Sequence, residues 1–185
     1  MKRKVIAFCG VEKSGKDYSC SRLMMTKGFI KIAFADPLRS MAFQILGYSY
    51  KEGMTNYEEL KKTKIYNDLT FRNILENIGS AVRRFDMDFW ARAVVKAVSS
   101  TTKNVCISDM RYPNEFRVLK NYCDANDIEL KVVFCNYKSP DYNDKNPHES
   151  AGMANYLLSL GYNDQEYVKE EDILMYELST IGGRK

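Results

Sequence analysis

Residues 5–9, Val-Ile-Ala-Phe-Cys, form a compact apolar run that stops at Gly10, and a segment with helical spacing opens at Lys16. An apolar run of this length ending at a glycine reads as a buried strand. The connection Gly10-Val-Glu-Lys-Ser-Gly15-Lys16-Asp17 fits G-x-x-x-x-G-K-[ST] at every fixed position but the last. Its glycines let the backbone wrap so that several N–H groups point inward. The following helix adds the positive end of its dipole, and Lys16 adds a point charge. A strand before and a helix after is the setting this motif requires, so the loop is predicted to bind phosphate. Asp17 stands where a serine or threonine hydroxyl normally meets Mg2+. A carboxylate there could ligate the ion, hold one of its waters, or simply favour the positive helix terminus.

The rest of the chain repeats the alternation. Lys16–Lys27 reads as a helix with Tyr18, Leu23 and Met24 at helical spacing, stopped by Gly28. Phe29–Phe34 reads as a strand. Asp36-Pro37 then places aspartate at a helix N-cap and proline at N1, with the helix closing at Gly47. Tyr48–Lys64 is polar and weakly patterned, and is predicted to be a mobile insertion. Phe71–Phe85, Asp88–Ser99, Glu115–Asn126 and Ser150–Leu160 read as helices, and Val105–Ser108 and Glu129–Cys135 as strands. A polar loop over Tyr137–His148, a fifth strand near Glu166–Val168 and a last helix through Ile181 complete the pattern. Strands separated by helices predict an α/β fold of three layers, a parallel sheet covered on both faces. Without repeat, low-complexity tract or linker, residues 1–185 read as a single domain.

Composition narrows the chemistry. Apolar residues make up 45% and charged residues 28%, an ordinary globular balance that excludes disorder. A net charge of +4 suits a phosphate-bearing small molecule but is far from the dense basic stripe of a nucleic-acid binder. With His148 as the one histidine, a histidine-cluster metal site and most histidine-based relays are not expected. The five cysteines are scattered and never spaced C-x-x-C, so buried thiols in a reducing cytoplasm are expected. The opening apolar run is too short for a secretory leader, and no stretch approaches a membrane span.

Two further groups of residues carry chemistry. Val105–Ser108 delivers Asp109 to a strand's carboxyl end, where ligands sit in open α/β sheets. Asp109-Met-Arg111-Tyr-Pro-Asn114-Glu115 crowds acids and an arginine about a proline turn, which fits a metal-orienting carboxylate, a helix cap or both. Arg72, Arg83, Arg84 and Trp90 lie on the helices between the second and third strands. Arginine suits forked contact with phosphate and tryptophan offers a face for a base, although solvated arginines and a core tryptophan are equally open readings.

Gly15-Lys16-Asp17, Phe34-Ala35-Asp36-Pro37-Leu38, Arg72 with Gly79-Ser80, Asp88-Phe89-Trp90, Ser108–Glu115 and His148-Glu149-Ser150 occur in that order. Together they resemble the phage deoxynucleoside monophosphate kinases, within the P-loop nucleoside monophosphate kinase group, over about Val5 to Ser150. The resemblance implies a three-layer P-loop NTPase fold with a mainly parallel five-stranded sheet, an acceptor-side insertion with helices over 48–100 and a lid-like loop over 137–148. It implies transfer of the ATP γ-phosphoryl to a deoxynucleoside 5′-monophosphate with Mg2+, in the cytoplasm (the host's, for a phage chain), with no stable nucleic-acid or membrane partner. Gly10, Lys13, Ser14, Gly15, Lys16 and Tyr18 would hold ATP, and Asp17 and Asp109 would serve the metal or catalysis. Asp36, Arg72, Ser80, Arg83 and Trp90 would line the acceptor site, with Arg111 and Glu115 shaping the crevice between. A homodimer is left open.

Two departures stand out. Ser80 sits where the family often has threonine, which keeps a hydroxyl. The lid-like loop contains no arginine, so Lys138, Lys145, Lys13 or Arg84 would have to supply its cation. The acceptor is an anionic phosphate oxygen, so no general base is needed; the difficulty is gathering anions and stabilising spread charge. Two other readings remain: a phosphomevalonate-kinase-like enzyme, which also carries a Gly-Lys-Asp loop, and a catalytically silent nucleotide-binding protein.

Overall fold

The computed structural model describes residues 2–10, 12–135 and, apart from 154 and 158, 152–160. Its elements run β1 (Lys4–Gly10), α1 (Lys16–Lys27), β2 (Ile30–Ile32), α2 (Asp36–Ile45), α3 (Tyr50–Thr55), α4 (Tyr57–Leu60), β3 (Lys64–Tyr66), β4 (Leu69–Thr70), α5 (Phe71–Phe85), α6 (Phe89–Ser99), β5 (Val105–Ile107), α7 (Pro113–Ala125) and β6 (Glu129–Cys135). Strands β2, β5, β1 and β6 lie side by side in that order, and every pairing is parallel. The expected fifth strand near 166–168 and last helix lie outside the described residues.

Period-two alternation sorts the sheet's side chains into two faces. Val5, Ala7, Cys9, Val105, Ile107, Val132 and Phe134 face α6, α7 and the helical residues of 152–160, whose Met153 and Leu157 close that core. Ile6, Phe8, Cys106, Val133 and Cys135 face α1 through Cys20 and Leu23. Two hydrophobic faces covered from opposite sides make the three layers, with each buried large side chain contributing ~1.5–3 kcal/mol. All five thiols are buried and unbridged.

Of the three apolar residues at helical spacing in α1, Leu23 turns inward. Ser19, Cys20 and Leu23 are buried, while Tyr18 and Met24 are about half exposed. The mobile insertion predicted for Tyr48–Lys64 is corrected: it folds into α3 and α4 and leads into a β3–β4 hairpin. Ser49 caps α3 by a reciprocal box with Glu52. The segment is anchored because Phe43 of α2 stacks on Phe71 of α5 at 5.1 Å, with Tyr50 and Tyr57 edge-on to it. Gly53 must be glycine there, since a Cβ would lie 2.4 Å from the Phe43 ring. Among the described residues, no helix is long and apolar enough to cross a membrane.

Candidate functional site

A parallel sheet puts every strand's carboxyl end on one edge, so the segments leaving β1, β2 and β5 converge. The first is the glycine loop. Gly10 has φ +131°, and a Cβ on it would fall 2.1 Å from the Cys135 carbonyl oxygen, so the tight β1–β6 approach excludes any side chain. Lys13 and Gly15 take φ +60° and +89°, curling the backbone into the left-handed region. Ser14 is fully buried. Lys16 is also buried, its ammonium donating to the Gly10 carbonyl at 2.9 Å and to Ser14 Oγ at 3.3 Å. Burial holds the Lys16 pKa below its usual value, despite the raising influence of Cys135 and Asp17. Residues 13–18 line an open cavity of about 230 Å³ at the start of α1. Lys13, Ser14, Gly15, Lys16 and Tyr18 therefore share one cavity, from which Lys16 reaches the Gly10 carbonyl.

Asp17 is largely exposed, and its Oδ1 accepts from Lys31 Nζ at 2.6 Å. Burial alone would raise its pKa, but Lys31 and the Ser108 hydroxyl outweigh that and hold it low. Asp109 is placed differently. Its two carboxylate oxygens accept from the backbone N–H groups of Phe34, at 2.7 Å, and Ala35, at 3.0 Å, so it ties the end of β5 to the turn after β2. Burial raises its pKa in spite of those bonds. Among the described residues, no three His, Cys, Asp or Glu side chains cluster as a metal cage. Mg2+ needs no such cage, since one or two carboxylates, phosphate oxygens and waters complete its shell. Asp17, a largely exposed side chain that lines the cavity, fits that demand better than Asp109, whose oxygens both hold backbone.

The second segment leaves β2. Ala35 is the N-cap of α2, with Asp36 and Pro37 following as the first helical residues, a shift of one from the expected cap. Asp36 Oδ2 accepts from the Ala33 N–H, while Oδ1 accepts from Arg39 at 2.9 Å and from the Tyr50 hydroxyl at 2.8 Å. Arg39 also lies over the Tyr57 ring at 5.0 Å, and its Nε is buried without a hydrogen-bond partner. Tyr57, Asp109 and Asp36 raise its pKa against the lowering effect of burial, so it stays a cation.

The third segment follows β5. Glu115 is buried at the start of α7, and its Oε2 accepts from the Arg111 and Tyr112 N–H groups at 2.7 and 3.1 Å. Burial lifts its pKa to about 7. Arg83 of α5 lies over the Tyr112 ring at 4.6 Å, beside this turn. Arg72 is instead exposed and paired with Glu76 at 3.0 Å, and Ser80 and Arg84 are exposed. Trp90 is 3% exposed, with its indole N–H donating to the Gly79 carbonyl and Phe89 edge-on at 4.9 Å. It fills the α5–α6 contact, so the reading of Trp90 as an open platform for a base gives way to the core reading. Lys138, Lys145 and His148 lie outside the described residues.

Sequence reasoning missed Lys31 and Arg39. Lys31 could have been flagged as a charge set between two isoleucines in a short strand. Arg39 stands one helical turn after Asp36, the spacing of an i, i+3 pair.

No family model matches the chain, and no curated protein matches it. Solved structures do. Shikimate kinase from Aquifex aeolicus is similar with a TM-score of 0.46 and 14% identity, over 96% of this chain and 96% of that one. A sugar kinase from Janibacter sp. gives 0.45 and 10%, over 97% and 95%. The APS kinase CysC of Mycobacterium tuberculosis gives 0.36 and 18%, over 86% and 96%. Likenesses this distant carry no chemistry across.

Proposed function

We propose that this chain is a small-molecule kinase that transfers the γ-phosphoryl group of ATP to a deoxynucleoside 5′-monophosphate. One observation carries the reading: the cavity over residues 13–18 at the start of α1, lined by Lys16 with its ammonium on the Gly10 carbonyl. Backbone N–H groups, a helix N-terminus and a buried ammonium together suit a chain of phosphates and little else of comparable size. The deoxynucleotide acceptor rests on the sequence resemblance. It is supported by cations beside the crevice, Arg39 next to Asp36 and Arg83 next to Tyr112.

In this reading the loop amides and Lys16 hold the β- and γ-phosphates, and α1 adds its dipole. Mg2+, held through Asp17 and phosphate oxygens, would neutralise charge on the transferring group. Asp109 sets the turn from which Asp36 and Arg39 are presented. Arg39, kept cationic by its surroundings, offers positive charge to an anionic acceptor, a role the arginine-free lid-like loop leaves open. The acceptor oxygen arrives already ionised, so no side chain has to remove a proton.

A second reading, transfer to another small anionic acceptor, gains from one fact: with Trp90 buried, the described residues hold no tryptophan face for a base. A coupled ADP-release assay across the four deoxynucleoside monophosphates and their ribose counterparts separates the two. Acceptor-dependent ADP release with a higher kcat/KM for the deoxy series is expected. Ratios near one would remove the deoxy preference, and no turnover with any nucleoside monophosphate would favour the second reading.

A further inference from the structure

We propose that Lys31 is a positioning residue that cancels the charge of Asp17, so that a loop ending in aspartate can still admit a polyphosphate; this rests on the phosphate-binding reading above. A hydroxyl at the last motif position is neutral, whereas a carboxylate adds a full negative charge beside Lys16, where the loop must attract anions. The chain answers with Lys31, whose Nζ lies 2.6 Å from Asp17 Oδ1.

The placement of Lys31 is specific. Ile30 and Ile32 pack against the core shared with α6 and α7, so strand alternation sends Lys31 to the opposite side of the sheet, toward α1. Strand β2 is held to β5, with Lys31 opposite Cys106, so the lysine stem leaves a fixed backbone. The Lys31 side chain is one-third exposed and the Asp17 side chain about three-quarters exposed, so the pair sits at the surface beside the cavity and not in the core. Asp17 itself lines that cavity. An ion pair there presents a dipole in place of a net charge.

Isothermal titration of ATP into the full chain, in EDTA at low ionic strength, tests this. Lys31→Met should weaken ATP binding by about three- to tenfold, the scale of one partly screened charge. Lys31→Arg should stay within about twofold of wild type. Asp17→Asn should tighten binding by about three- to tenfold, and Lys31→Met/Asp17→Asn should return near wild type. These differences should shrink as salt is added, with thermal melts checking that each variant is folded. An unchanged affinity in Lys31→Met would overturn the proposal. So would equal losses in Lys31→Met and Lys31→Arg, or shifts of the same sign in Lys31→Met and Asp17→Asn. Wild-type binding in Mg2+ but none in EDTA would also overturn it, because a neutralised Asp17 needs no metal to admit phosphate. Absence of ATP binding under every condition would instead remove the phosphate-loop reading beneath it.

Discussion

Lys16 is buried with its ammonium on the Gly10 carbonyl, yet it lines the cavity over the loop. Replacing it with alanine removes a charge from the proposed phosphate site and the loop hydrogen bonds to the Gly10 carbonyl and Ser14 Oγ, each worth ~1 kcal/mol. Lys16→Ala is therefore expected to abolish acceptor-dependent ADP release while shifting the thermal midpoint by only a few degrees. Near-normal turnover in a folded variant would contradict the site. Trp90 leads to the opposite expectation. Its ring is enclosed and its N–H donates to the Gly79 carbonyl within α5, so Trp90→Phe removes one hydrogen bond and part of the ring that fills the α5–α6 contact. The lost bond and the lost packing together cost ~1–3 kcal/mol. Urea unfolding should register it, while the acceptor KM stays within about twofold; a raised KM at unchanged stability would restore the base-contact reading.

At the level of elements, the start of α7 is pH-sensitive. Burial, with the Asp109 charge adding to it, lifts Glu115 to about 7, against the Arg111 and Tyr112 N–H bonds and Arg83. In the unfolded chain the same carboxyl titrates near 4.5. Between those values the native state holds a proton that the unfolded state has lost, so this group's contribution to stability declines as pH rises through that window. The full shift corresponds to about 3 kcal/mol. Glutamine keeps an acceptor for the two N–H groups and does not titrate. The unfolding free energy of Glu115→Gln relative to wild type should thus grow by ~2–3 kcal/mol from pH 4.5 to pH 8, followed by urea titration at each pH. A difference that stays flat would mean that Glu115 ionises normally in the fold.

On the scale of the whole molecule, the core is divided. Phe43, Ala42, Leu60 and Phe71 form a cluster of their own, separate from the two clusters against the sheet. Phe43→Ala should remove ~3–5 kcal/mol from that cluster alone. Hydrogen exchange should then quicken across residues 49–70 while the amides of β1 and β5 keep their protection; uniform loss would show the clusters to be one cooperative unit. The divided core also explains what could be read in advance. The ranges of α1, α5 and β6 were legible in the chain because apolar runs, caps and the Gly28 stop act over a few residues. Convergence of the glycine loop and Asp109 was legible for a similar reason, since parallel strands share one carboxyl edge. The anchoring of residues 48–64 was not, because its polar surface conceals a few contacts that depend on Phe43 and Phe71 meeting. Nor were the Lys31–Asp17 and Tyr50–Asp36 pairs, or the burial of Trp90. Residue type and local period therefore determined the strands of the parallel sheet, the helices that cover it and the glycine loop between β1 and α1. Which charges neutralise one another, and which aromatic is enclosed, was decided by the order of the strands and the packing of α2, α5 and α6, because electrostatics and burial depend on distance in space and not along the chain.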